Sequence, residues 1–170
     1  NLEGITHLEF NYPEHVDGYD LDEIREHMGG LGVNGVALRF RGNEFAEGEF
    51  TGTREDVSRR SVQLCKDAAD ACEALGGSVI TIWLGFDGFD YPFQVDYEKN
   101  WDKIVRAFRE VADYAGGKGL KVSIEYKPCE PRAFSMIDGI GLTLQMIDEV
   151  DRPNIGVTLD FCHMLMKREN

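Results

Sequence analysis

The sequence predicts an α/β fold in which parallel strands build part of a (β/α)8 barrel, with about five strands and four helices in 170 residues. Three observations lead there. Short β-branched runs alternate with longer amphipathic stretches along the whole chain. Glycines stand where helices must stop. Each strand candidate also has one apolar face and one face of small, polar or charged residues, and the crossover helices force the strands to be parallel.

The elements follow in order. "ITHLEF" (5 to 10) is the first strand candidate, and Leu21, Ile24 and Met28 mark one face of the helix after it, closed by "GGLG" at 29 to 32. "VNGVALRF" (33 to 40) is the second strand, followed by a helix whose apolar side carries Val57, Leu64, Ala68, Cys72 and Leu75 and ends at Gly76 and Gly77. "SVITIWLG" (78 to 85) precedes a third helix, marked by Trp101, Ile104, Val105, Phe108 and Ala112 and closed by "GGKG" at 116 to 119. "LKVSIEY" (120 to 126), a helix on Ile140, Leu144 and Ile147, and "NIGVTLD" (154 to 160) complete the series. No linker divides it, so residues 1 to 170 read as a single partial barrel domain. Five of eight strands imply further sequence, the two sheet edges left open in residues 1 to 170 taken alone invite pairing, and a homo-oligomer is expected of the full-length protein.

Composition excludes several partners. A net charge of -13 repels a phosphate backbone, and no cluster of Lys and Arg offsets it locally, so nucleic acid is not an expected partner. No apolar run is long enough to span a membrane. Cys65, Cys72, Cys129 and Cys162 lack zinc-site spacing and read as reduced thiols, which suits a cytoplasmic enzyme. Asn1 is not an initiator methionine, which leaves targeting open.

Side-chain parity locates the chemistry. The apolar face collects Val36 and Leu38, Ile80 and Ile82, Val122 and Ile124, and Ile155 and Val157, as a helix-packed side requires. The other face collects Glu9 and Asn11, Ala37 and Arg39, Thr81 and Trp83, Ser123, Glu125 and Lys127, and Gly156, Thr158 and Asp160. Its charged members gather at the C-terminal strand ends, where barrels carry their active sites. Glu125 and Asp160 close consecutive strands, which lie about 4.8 Å apart, so two inward carboxylates there can share a divalent cation. His163, three residues after Asp160, offers an imidazole. That donor set suits manganese, cobalt or magnesium more than a structural zinc. Lys127 adds a point charge able to polarise a substrate oxygen.

"IEYKPCEPR" followed by "GVTLDFCH" resembles the xylose isomerase-like TIM barrel superfamily, in particular its sugar isomerase branch. The resemblance implies that Glu125, Asp160 and His163 ligate metal and that Lys127 is catalytic. It implies an aldose-ketose isomerase acting on an open-chain monosaccharide by a hydride shift. Trp83 in "TIWLGFDG" resembles the tryptophan that walls the sugar, and Asn11 stands where the resemblance implies a ring-opening histidine in xylose isomerase, which points away from xylose itself. Three alternatives stay open: a ketose 3-epimerase of the same superfamily, an endonuclease IV-like zinc enzyme, and a non-catalytic sugar-binding protein.

Overall fold

The fold is seen in a computed structural model that describes residues 3–169. Five parallel strands form one sheet: β1 (His7–Tyr12), β2 (Gly32–Leu38), β3 (Val79–Trp83), β5 (Lys121–Glu125) and β7 (Ile155–Thr158). They pair in the order in which the chain makes them, so the strand order never reverses. A doubly wound sheet would reverse at a switch point. A barrel keeps turning the same way, and this sheet is the corresponding part of a (β/α)8 barrel. Two strands of two residues each, β4 (Gly88–Phe89) and β6 (Phe134–Ser135), pair antiparallel above it.

The helices are α1 (Leu21–His27), α2 (Glu55–Ala74), α3 (Tyr97–Gly116), α4 (Ile140–Val150) and α5 (Phe161–Lys167). Four of them occupy the positions the apolar periodicity assigns. The fifth corrects the expected count of four. "NIGVTLD" does not run to residue 160 as a strand, because β7 stops at Thr158 and Asp160 caps a new helix, its carboxylate accepting from the Cys162 and His163 N–H groups. A capping acid with two free amides ahead of it is a stronger local signal than two more strand residues. Gly76 (φ 78°) and Gly119 (φ 74°) adopt the left-handed conformation after α2 and α3, as the closing glycines predict.

The apolar strand face is the core. Val36, Leu38, Ile80, Ile82 and Ile124 are fully buried against Ala68, Cys72, Ile104, Phe108 and Ala112 of α2 and α3. A smaller group, Val16, Val33, Ala71 and Leu75, packs with Leu21 and Ile24 of α1 and with Met28, which caps it. Register across the sheet aligns the other face in rows. Asn11, Ala37, Thr81, Ser123 and Gly156 form one row; Trp83, Glu125 and Thr158 form the next, toward the C-terminal ends.

The loops above that upper row are tied by two buried acids. Glu49, after β2, and Asp87, after β3, are each 1% exposed. Asp87 accepts the Phe50 N–H (3.1 Å), the Thr51 N–H (2.8 Å) and the Thr51 hydroxyl (2.6 Å), while both Glu49 oxygens face the Phe86 N–H at 3.0 Å. Burial raises both carboxyls, and the neighbouring Asp87 charge raises Glu49 further. Asp87 has more donors, so it keeps the negative charge and Glu49 takes the shared proton. The folded state therefore binds more protons than the unfolded chain. The contribution is present below the ordinary carboxyl pKa of about 4 and is lost as pH rises through the raised values. Glu49→Gln imitates the protonated form, so its stability relative to the native protein should increase as pH rises, read as thermal midpoints between about pH 4 and 8. Glu49→Ala leaves Phe86 N–H unpaired and should cost roughly 2 to 3 kcal/mol.

Candidate functional site

Glu125 is the last residue of β5, and its row in the sheet places it beside Trp83 on one side and Thr158 on the other. Below it a 2.6 Å hydrogen bond between the Ser123 and Thr158 hydroxyls joins β5 to β7. Asp160 and His163 arrive from the first turn of α5. That short helix is anchored at its far end, where Glu169 accepts from the Tyr126 hydroxyl and from the Ile140 N–H (2.8 Å), and Lys167 pairs with Asp138. Burial and the Glu169 contact push the Tyr126 hydroxyl up to about 12. His163 is held from both directions.

Glu125, Asp160 and His163 each bring one ligand atom into a cluster whose members lie within 4.8 Å of one another. His163 Nδ1 stands 3.8 Å from Glu125 Oε1 and 3.9 Å from Asp160 Oδ2. Neither separation is a hydrogen bond. Nδ1 is nonetheless buried and has no partner among the described residues. Protonated, it lacks an acceptor within reach; unprotonated, its lone pair faces two carboxylates. Either state leaves a buried polar atom unsatisfied, at a cost of roughly 1 to 3 kcal/mol. Donors around one divalent ion at about 2.0 to 2.4 Å stand roughly 3 to 5 Å from each other, so the cluster fits a metal.

The surrounding field agrees. Burial raises the Glu125 carboxyl, Arg39 and His163 work against that rise, and the charges of Asp160 and Glu9 add to it. Asp160, also pushed up by burial, is brought below its usual range by the N–H groups of His163 and Cys162. Two carboxylates facing each other over an imidazole lack positive charge.

Lys127 sits two residues past Glu125, with its Nζ 5.5 Å from the centre of the Trp83 ring. The Trp83 ring lies against Gly85, where a Cβ would come within 2.8 Å of it, and its Nε1 is buried without a partner among the described residues. Asn11 lies in the lower row beside Ala37, its backbone N–H donating to His15 Nδ1 at 3.1 Å. The structure thus gathers Glu125, Asp160, His163, Lys127 and Trp83 at one mouth and leaves Asn11 one row below. Sequence reasoning passed over Arg39, whose guanidinium stands 6.0 Å from the Trp83 ring centre and 3.9 Å from Glu125. Its parity and its place one residue past β2 were the available signals. A cavity of 750 Å³ lies elsewhere, between α2 and α3 on the helical exterior, and none of these residues lines it.

Comparison with known proteins places the chain among related folds. The family model described as xylose isomerase-like TIM barrel matches residues 3–170. A xylose isomerase of Thermus thermophilus is 28% identical over 134 residues, covering 77% of this chain and 35% of the relative. The crystal structure of a D-allulose 3-epimerase from a Methylomonas species superposes with a TM-score of 0.75 at 25% identity, covering 96% of this chain and 55% of that one. The IolI protein, solved with a bound zinc atom, gives 0.73 at 18% identity, with 97% and 56% covered, and shares the fold. The chain spans about a third of the curated relative and about half of these structures.

The cap and the charge of Asp160 are separable. Asp160→Asn keeps an acceptor for the Cys162 and His163 amides and should melt within about 1 °C of the native protein, whereas Asp160→Ala should cost about 1 kcal/mol, or roughly 2 to 4 °C by thermal denaturation.

Proposed function

Because the chain belongs to the xylose isomerase-like TIM barrel family, we propose that it carries the metal-binding half of the site of a sugar isomerase, one that interconverts an aldose and a ketose on an open-chain monosaccharide. The observation that carries this reading is the orphaned His163 Nδ1 aimed between Glu125 and Asp160, with Lys127 beside them. Glu125, Asp160 and His163 would hold manganese, cobalt or magnesium, and the two carboxylates favour these over a closed structural zinc site. The bound ion supplies Lewis-acid polarisation of the sugar oxygens.

The chain's own residues do the rest. Glu125 and Asp160 fix the sugar's oxygens relative to the strand ends. Lys127 Nζ donates to the oxygen on which negative charge grows as hydrogen moves between C1 and C2, which favours the transition state over the bound sugar. Trp83 supplies an apolar wall along the carbon chain and keeps water from it. Asn11, one row deeper, offers an amide to a hydroxyl at the far end.

The similarity to D-allulose 3-epimerase, at 25% identity over nearly the whole chain, favours a second reading as a ketose 3-epimerase. There a carboxylate takes a proton from one face of C3 and a second group returns it on the other. The two readings differ in the fate of hydrogen. Full-length protein loaded with manganese or cobalt is incubated with aldoses and ketoses in D2O and the products are read by NMR. The isomerase reading expects aldose-ketose exchange with little deuterium taken up; deuterium at C3 and a 3-epimer would replace it with the epimerase. No turnover of any sugar would sink both.

Two variants test the assignments. Glu125→Gln with Asp160→Asn should abolish stoichiometric metal uptake by elemental analysis. Lys127→Met should lower turnover roughly a hundredfold or more while metal affinity holds, since Lys127 acts on charge present only in the transition state.

A further inference from the structure

We infer that Arg39 is a specificity residue that selects a sugar bearing an anionic group, a carboxylate or a phosphate ester. This rests on the sugar-site reading given above and deepens it.

Arg39 follows β2 directly and enters the mouth on the same face as Trp83 and Glu125. Its side chain is 30% exposed, so its charge is partly withdrawn from water. A guanidinium has five N–H donors. Among the described residues the Arg39 guanidinium makes one hydrogen bond, at 3.5 Å to the carbonyl of Leu38, and its nearest carboxylate oxygen, on Glu125, is 3.9 Å away. Other arginines of the chain meet closer acids: Arg132 reaches Asp90 at 3.1 Å, and Arg41 reaches Glu14 at 2.6 Å. A planar fork left open in a cleft fits an oxyanion better than a hydroxyl.

The neighbours of Arg39 repeat the pattern. Lys127 Nζ has its nearest acid, the exposed Glu130, at 3.9 Å, also too far for a hydrogen bond. Trp83 Nε1–H has no acceptor among the described residues. Arg39, Lys127 and Trp83 are all donors, and the acids within reach of the first are committed to the metal cluster. Once a dication sits among Glu125 and Asp160, their two charges are matched by the ion, and Arg39 loses Glu125 as its counter-charge while Lys127 keeps the exposed Glu130. A guanidinium with most of its donors unspent beside an aromatic wall, on a protein of net charge -13, marks a local site for negative charge. Lys127 serves the reacting oxygens, which leaves Arg39 for the substituent.

The test is calorimetric and does not depend on turnover. Manganese-loaded full-length protein is titrated with gluco-, galacto- and manno-configured hexoses, each as the neutral sugar, the uronate and the 6-phosphate. At least one charged form should bind roughly tenfold or more tighter than its neutral counterpart, the worth of one charge-assisted hydrogen bond. Arg39→Gln should reduce that gap to about threefold or less, with manganese affinity and neutral-sugar binding held, and Arg39→Lys should restore part of it. Preference for the uronate or for the 6-phosphate identifies the group. Equal binding of neutral and charged sugars, a gap that survives Arg39→Gln, no binding of any of these ligands, or a loss of manganese affinity in Arg39→Gln would each overturn the assignment; the last would make Arg39 a partner of Glu125 instead. Neutral sugars converted without charge preference would overturn this inference and leave the isomerase reading standing. An acidic sugar held through Arg39 but not converted would do the reverse.

Discussion

In-register pairing of parallel strands is the constraint on which the other features rest. Opposite residues on neighbouring parallel strands point the same way, so a choice made on one strand is imposed on the next. Val36, Ile80, Val122 and Ile155 share one side and bury against helices; Ala37, Thr81, Ser123 and Gly156 share the other and stay small. One row higher the same rule brings Trp83, Glu125 and Thr158 side by side. The helices all lie on the apolar face because the strand order never reverses, which leaves the opposite face and its strand ends for chemistry.

The site gains its character from charges the fold cannot neutralise by itself. Glu125 closes its strand partly buried, and Asp160 is held in place by the two amides it caps. Neither finds a cation at hydrogen-bonding distance among the described residues; Arg39 stops at 3.9 Å from Glu125 and His163 at 3.8 Å. A fold that stabilised itself first would have closed these gaps. Leaving them open costs stability and leaves a place for an ion, which is how functional sites commonly depart from optimal packing. The same reasoning covers Trp83 Nε1 and His163 Nδ1, two buried nitrogens without partners among the described residues.

The buried acids in the loops after β2 and β3 are, by contrast, satisfied. Glu49 and Asp87 are more deeply buried than any residue at the mouth, and each finds backbone donors. Their role is mechanical. By joining the loops after β2 and β3 they fix the course of the chain just past Arg39 and Trp83, on rigid strand ends. The contrast between this satisfied acid pair and the unsatisfied triad separates the structural carboxylates from those proposed to hold an ion.

The sequence alone determined the alternation of elements, the barrel handedness and the two faces of each strand, because period-two and period-3.6 patterns are local and a right-handed crossover follows from them. It also placed Glu125 and Lys127 at one strand end and Asp160 and His163 beside it at the mouth, since parity and chain order need no contacts to be read. The end of β7 was not legible, because a capping acid and a strand residue look alike until the amides ahead of Asp160 are seen to point at it. Nor could spacing say that Asn11 lies a row below Trp83, since register depends on a bulge between Leu8 and Glu9 that shifts β1 against β2. Only the tertiary structure decided that Arg39 stands over Trp83 with its donors unspent, and that Glu49 meets Asp87. Those pairs join residues 44 and 38 positions apart, brought together by loops whose paths no local pattern encodes.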